Sequence, residues 1–107
     1  MKIPEKELSA IDSDLQALAG ARAVLWRYSV SHSTLEIRLV WPELKGNTHL
    51  ICEGCVNLQS AASWPDAHFH LSTIAGDREL LLITDEQGEF RVTCGLARIE
   101  KNVEPIF

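Results

Sequence analysis

The chain has 107 residues, 46% of them hydrophobic and 23% charged, with a formal net charge of −5. This is ordinary globular usage for a single domain, 1–107, and it excludes whole-chain disorder. Ten basic residues stand against fifteen acidic ones, and Arg22, Arg27 and Arg38 are spaced singly, so no nucleic-acid partner is expected.

No segment approaches the roughly eighteen apolar residues that would span a bilayer, so no membrane is expected either. The opening "MKIPEKELSAIDSDLQ" is broken by acids and lysines and lacks the apolar core of a signal peptide. The expected location is cytoplasmic, with the three cysteines kept as thiols.

In chain order, "PEKELSAIDSDLQALAG" predicts an amphipathic helix over about residues 5–19. Leu8, Ile11, Leu15 and Leu18 recur at helical spacing and form one apolar stripe. Pro4 suits the start, and Gly20 suits the left-handed residue after a helix. "SAID" offers a second start at Ser9, where Asp12 follows a hydroxyl cap by three. From about residue 23 to 101 the pattern is sheet. "AVLWRYSV" is aromatic and β-branched, and "TLEIRLVW" alternates, with Leu35, Ile37, Leu39 and Trp41 on one face and Glu36 and Arg38 on the other. The small polar "SHS" between them makes residues 23–41 a hairpin, which Trp41-Pro42 ends.

"ELKGN" reads as a loop, "THLICEG" as a strand, "SAASWPDA" as a loop and "AHFHLSTI" as a strand. "ELLLITD", "EQGE" and "FRVTCGLARIE" form a second hairpin, and "KNVEPIF" is left without an assignment. Connections this short imply antiparallel pairing. The fold class is therefore α+β: an N-terminal amphipathic helix followed by about six mostly antiparallel strands in a curved sheet, sandwich or partial barrel.

The cysteines and histidines are the chemical candidates. Cys52 and Cys55 lie three apart, with Gly54 between them. With Cys94 and one of His49, His68 or His70 they could complete the four ligands of a structural zinc site. The second paired motif of a strong zinc signal is missing, however. Cys52 shares a face with Leu50, and Cys94 with Phe90 and Val92, as buried thiols would. A thioredoxin-like reading would need a helix over "CVNLQSAAS" and a βαβ frame, and the frame is absent. His68 and His70 would share a strand face with Cα atoms roughly 6.5–7 Å apart, and a polar sheet face explains them without a metal. His32 is turn composition.

Trp26 and Trp41 read as core anchors of the first hairpin. Trp64, in the proposed loop, could anchor an interface or cap the open end of the sheet. Asp77, Glu79, Asp85, Glu86 and Glu89 gather at the turns of the second hairpin, where they could meet a basic partner. Trp64, Asp85 and Glu86 are thus the interaction candidates. No phosphate loop, dinucleotide fingerprint or nucleophile elbow is present, so no catalytic residues and no cofactor are assigned.

The favoured expectation is a non-enzymatic protein-interaction module, immunity-like or self-associating, with a protein partner or a homodimer. The alternatives are a zinc-stabilised domain and a small-ligand-binding β domain.

Overall fold

The structure, a computed structural model, describes residues 2–42 and 47–101. The loop predicted over "ELKGN" and the tail "KNVEPIF" fall largely outside the described residues. Helix α1 spans Glu5–Gln16, with Pro4 at its N-cap and Glu5 and Glu7 in the first turn, where carboxylates meet the positive end of the dipole. The alternative start at Ser9 is not used, since the helix runs through it. The helix ends at Gln16 rather than 19, but Leu18 keeps the stripe and is buried with Leu15, while Leu8 and Ile11 pack half-buried beside them. Gly20 takes the left-handed φ of +85°. Its N–H bonds to the Ala67 carbonyl at 2.9 Å, which ties the helix exit to the loop before a later strand.

Nine strands follow: β1 Arg22–Ser29, β2 Thr34–Val40, β3 Thr48–Glu53, β4 Asn57–Gln59, β5 Ser63–Trp64, β6 His70–Ile74, β7 Leu80–Asp85, β8 Phe90–Cys94 and β9 Leu96–Lys101. They make a five-stranded sheet in the order β5-β1-β2-β3-β9 and a four-stranded sheet in the order β4-β8-β7-β6. Every pairing is antiparallel, as the short connections require. The sheets do not close into a barrel. Among the described residues, no helix is long and apolar enough to cross a membrane.

Three segments differ from the sequence pattern. "SAASWPDA" is not wholly loop: Ser63 and Trp64 pair with Val24 and Ala23 of β1. "CVNLQSAAS" forms β4 rather than a helix turn. "FRVTCGLARIE" is two strands in two different sheets, separated at Gly95.

That last break is paired with another. β3 passes through Gly54, which holds φ +68°, into Cys55 and β4. The Gly95 N–H bonds to the Glu53 carbonyl at 3.0 Å, and the Val56 N–H to the Thr93 carbonyl at 2.9 Å. Glu53 pairs with Leu96 in one sheet, and Asn57 with Thr93 in the other. β3–β4 and β8–β9 are therefore one two-stranded ribbon, bent from sheet to sheet at Gly54 and Gly95. A side chain at Gly54 would be strained by its φ alone.

The core lies between the sheets. Leu35, Ile37, Leu39, Leu50 and Cys52 contribute from one side, Leu81, Ile83, Phe90, Val92 and Cys94 from the other, with Leu15 and Leu18 adding to it. The predicted inward row Leu35, Ile37, Leu39 is fully buried and Trp41 half-buried, while Glu36 and Arg38 face out. Each large apolar side chain so buried contributes roughly 1.5–3 kcal/mol.

Candidate functional site

The outer face of the five-stranded sheet carries the most organised polar chemistry outside the core. Strict alternation along β1 would send Ala23, Leu25 and Arg27 inward, burying a charge. The chain avoids this with a β-bulge. Leu25 pairs with Ile37, yet Arg27 pairs with Glu36, so Trp26 is the extra residue. The bulge resets the phase. Trp26 and Arg27 both lie on the outer face, and Tyr28 returns to the register opposite the inward Leu35. Trp26 is consequently 39% exposed, not the core anchor that β-strand composition suggested.

Four contacts link five side chains, from Arg27 back to Trp26. The Arg27 guanidinium donates to Glu36 Oε1 at 3.3 Å. Glu36 Oε2 lies 3.1 Å from His49 Nδ1. Arg38 Nε donates to His49 Nε2 at 3.0 Å. The Arg38 guanidinium then sits over Trp26, its Cζ 3.4 Å from the ring centroid, and the indole and imidazole centroids are 6.0 Å apart.

These contacts define the imidazole. Arginine can only donate, so Nε2 is an acceptor and the proton sits on Nδ1, facing the Glu36 carboxylate. His49 is therefore neutral and doubly engaged. It is only 1% exposed although it sits on an outer face. Burial holds its pKa below the ordinary value, opposed by the hydrogen bond to Glu36. One atom of the network is unmatched: Arg38 Nη2 is buried and has no hydrogen-bond partner among the described residues. Beyond His49 the charges continue. Glu100 pairs with His49 in register, and Arg98 reaches Glu100 at 3.2 Å and Glu53 at 3.9 Å.

The zinc candidates are not brought to one point. Cys52, Cys55 and Cys94 are all buried free thiols at the bend of the ribbon. Cys55 Sγ donates to the Cys52 carbonyl at 3.3 Å, and burial pushes its pKa up to about 11. Interaction with the Cys94 thiol raises the Cys52 pKa well above its ordinary value, with burial adding to it, and the same interaction lowers that of Cys94. The histidines that would complete a site are placed elsewhere. His49 is on the opposite face of β3 with both nitrogens occupied, His68 pairs with Asp66 at 3.2 Å, and His70 is exposed on β6. Among the described residues, no group of three or more His, Cys, Asp or Glu side chains is arranged to hold a metal ion.

The interaction candidates divide. Glu86 is exposed, but Trp64 and Asp85 are each 2% exposed and offer no surface. Trp64 Nε1 donates to Asp85 Oδ2 at 2.8 Å. The same oxygen accepts the His68 N–H at 2.8 Å, and Oδ1 accepts the Gln87 N–H at 3.0 Å. The indole packs on Phe69 and Phe90, with centroids 6.3 and 5.4 Å away. It also covers Gly88, where a Cβ would overlap the ring. A pair of strand residues too short to show alternation thus anchors the end of the sandwich.

A cleft of about 470 Å³ opens between the end of α1 and the five-stranded sheet, with Leu18, Trp41 and Ile99 as its apolar lining and Asp14 and Lys101 at its polar edge.

No protein-family model, no curated protein and no solved structure matches this chain.

Proposed function

We propose that the chain is a non-enzymatic protein-interaction module that docks through the outer face of its five-stranded sheet. The observation that carries this reading is Trp26, a half-exposed indole fixed in a bulge by the Arg38 guanidinium. Tryptophan and arginine dominate binding hot spots because they present large rigid area at low entropic cost. The neighbouring groups do not favour catalysis. The histidine beside Trp26 has both nitrogens engaged, and the thiols are buried.

The charges suggest the partner. Most acids lie on α1 and the turns, whereas the docking face mixes exposed Arg27 and Arg98 with Glu53 and Glu100. A two-fold interface places one patch against itself and so needs both signs. A second copy fits this face better than a uniformly basic partner does. Three reduced cysteines suit a cytoplasmic setting.

Light scattering behind gel filtration across a concentration series tests the reading. A dimer that Trp26→Ala converts to monomer supports it. A dimer indifferent to Trp26→Ala moves the interface elsewhere. A monomer at every concentration removes self-association and leaves a basic partner of the immunity type.

A further inference from the structure

We propose that the Trp26 face is gated by protonation of His49, which exchanges its contact with Arg38 for one with Glu100 and releases the guanidinium that sits over the indole. This rests on the docking reading above and names its regulation.

The gate follows from donor and acceptor counting. Arg38 Nε donates to His49 Nε2, and it has no way to accept. A proton on Nε2 turns that hydrogen bond into two donors and two positive charges face to face. The contact must break. Nδ1–H keeps Glu36, so the ring remains anchored on one side. The new Nε2–H needs an acceptor, and Glu100 stands opposite His49 on β9. The Glu100 carboxylate already favours a charged imidazole, whereas Arg38 disfavours it. Each protonation state therefore has its own partner, as a two-state element requires.

Released from His49, Arg38 loses the bond that fixes its plane. Among the described residues, its Nη2 has no hydrogen-bond partner to hold it in place. The stacking on Trp26 then loses its support, and the indole is no longer preorganised.

The groups facing the imidazole come from every neighbouring element. They are Trp26 and Arg27 on β1, Glu36 and Arg38 on β2, and Glu100 with its partner Arg98 on β9; Glu53 lies further along β3 itself. The positive charge of Arg38 and the burial of the ring oppose protonation, while Glu36 and Glu100 favour it, and burial is the largest effect. The gate opens on acidification, below the ordinary histidine range.

The test is a pH titration by NMR, following the His49 ring and the Trp26 indole N–H together in dilute protein. The expected result is one shared midpoint below about pH 6.5. His49→Gln, whose amide can still accept from Arg38 and donate to Glu36, should abolish the Trp26 shift. Glu100→Gln should move the midpoint to still lower pH. A Trp26 signal that ignores the His49 titration, or one that still titrates in His49→Gln, overturns the gate. An unchanged midpoint in Glu100→Gln overturns the exchange.

The dimer assay separates this from the docking reading. On the gate, the dissociation constant rises on acidification, by up to roughly tenfold per pH unit for each proton taken up. A dimer whose affinity does not follow the His49 midpoint overturns the gate and leaves docking intact. A monomer at every pH removes self-association, while the paired NMR signals still decide the gate.

Discussion

Two tryptophans, Trp64 and Trp26, are each set against a charged side chain, and they have opposite consequences. Trp64 meets Asp85 inside the sandwich, where both are almost fully buried and the carboxylate accepts three N–H groups. Trp26 meets Arg38 on the outer face, half in water, through a network that includes a neutral histidine. In the interior every donor has one acceptor and no alternative, so the cluster can only be intact or broken. On the surface, one proton changes which partner is right. Burial therefore decides whether a polar cluster is a fixed joint or a movable one.

The largest expected effect breaks the interior cluster. Asp85→Ala strands three N–H donors; at roughly 1–3 kcal/mol for the buried indole N–H and about 1 kcal/mol for each of the two half-buried amides, the loss is about 3–5 kcal/mol. Chemical denaturation measures it, and a loss under 1 kcal/mol would show that water replaces the carboxylate. Gly88→Ala pushes a methyl group into the Trp64 ring. Overpacking of this kind costs about 1–3 kcal/mol, read as a lowered melting temperature.

The third prediction sharpens the contrast through pH. The folded-state pKa of His49 lies below its unfolded value. Above about pH 6.5 the ring is neutral in both states and carries no penalty. As pH falls below that value the unfolded chain binds the proton first, so stability declines until the folded pKa is reached. Denaturation midpoints compared between wild type and His49→Gln isolate this decline from that of the carboxylates. An equal decline in both proteins would contradict it.

The smallest effect is on folding itself. Trp26→Ala removes an indole of which 39% is exposed and a cation–π contact worth about 0.5–2 kcal/mol. The loss of stability should be near 1 kcal/mol, well below that of Asp85→Ala, even though a whole aromatic ring is deleted.

The interior was more legible in the sequence than the face. "TLEIRLVW" showed by alternation which residues go inward, Gly20 marked the helix exit, and Trp41-Pro42 marked the strand end. Trp64 was not legible, because a two-residue strand has no period. The surface network was hidden for a different reason. Glu36, Arg38 and His49 meet only once β2 and β3 are in register, and Trp26 joins them only through a bulge. The bulge left no clue, because alternation along "AVLWRYSV" is satisfied by sending Val24, Trp26 and Tyr28 inward and keeping Arg27 outside. The bend at Gly95 left none either, since apolar positions run on both sides of it.

The bent ribbon has a consequence for how the chain is made. β9 completes the five-stranded sheet by pairing with β3, and β8 lies at the centre of the four-stranded one. Both follow every other strand of the two sheets in chain order. Until Leu96–Lys101 emerges, β3 presents the uncharged run His49–Cys52 along an open edge, which is the kind of surface that seeds aggregation. Neither sheet can finish early and shelter the other. Maturation should therefore be a single late event, and nascent chains stalled before Leu96 should depend on chaperones far more than full-length ones.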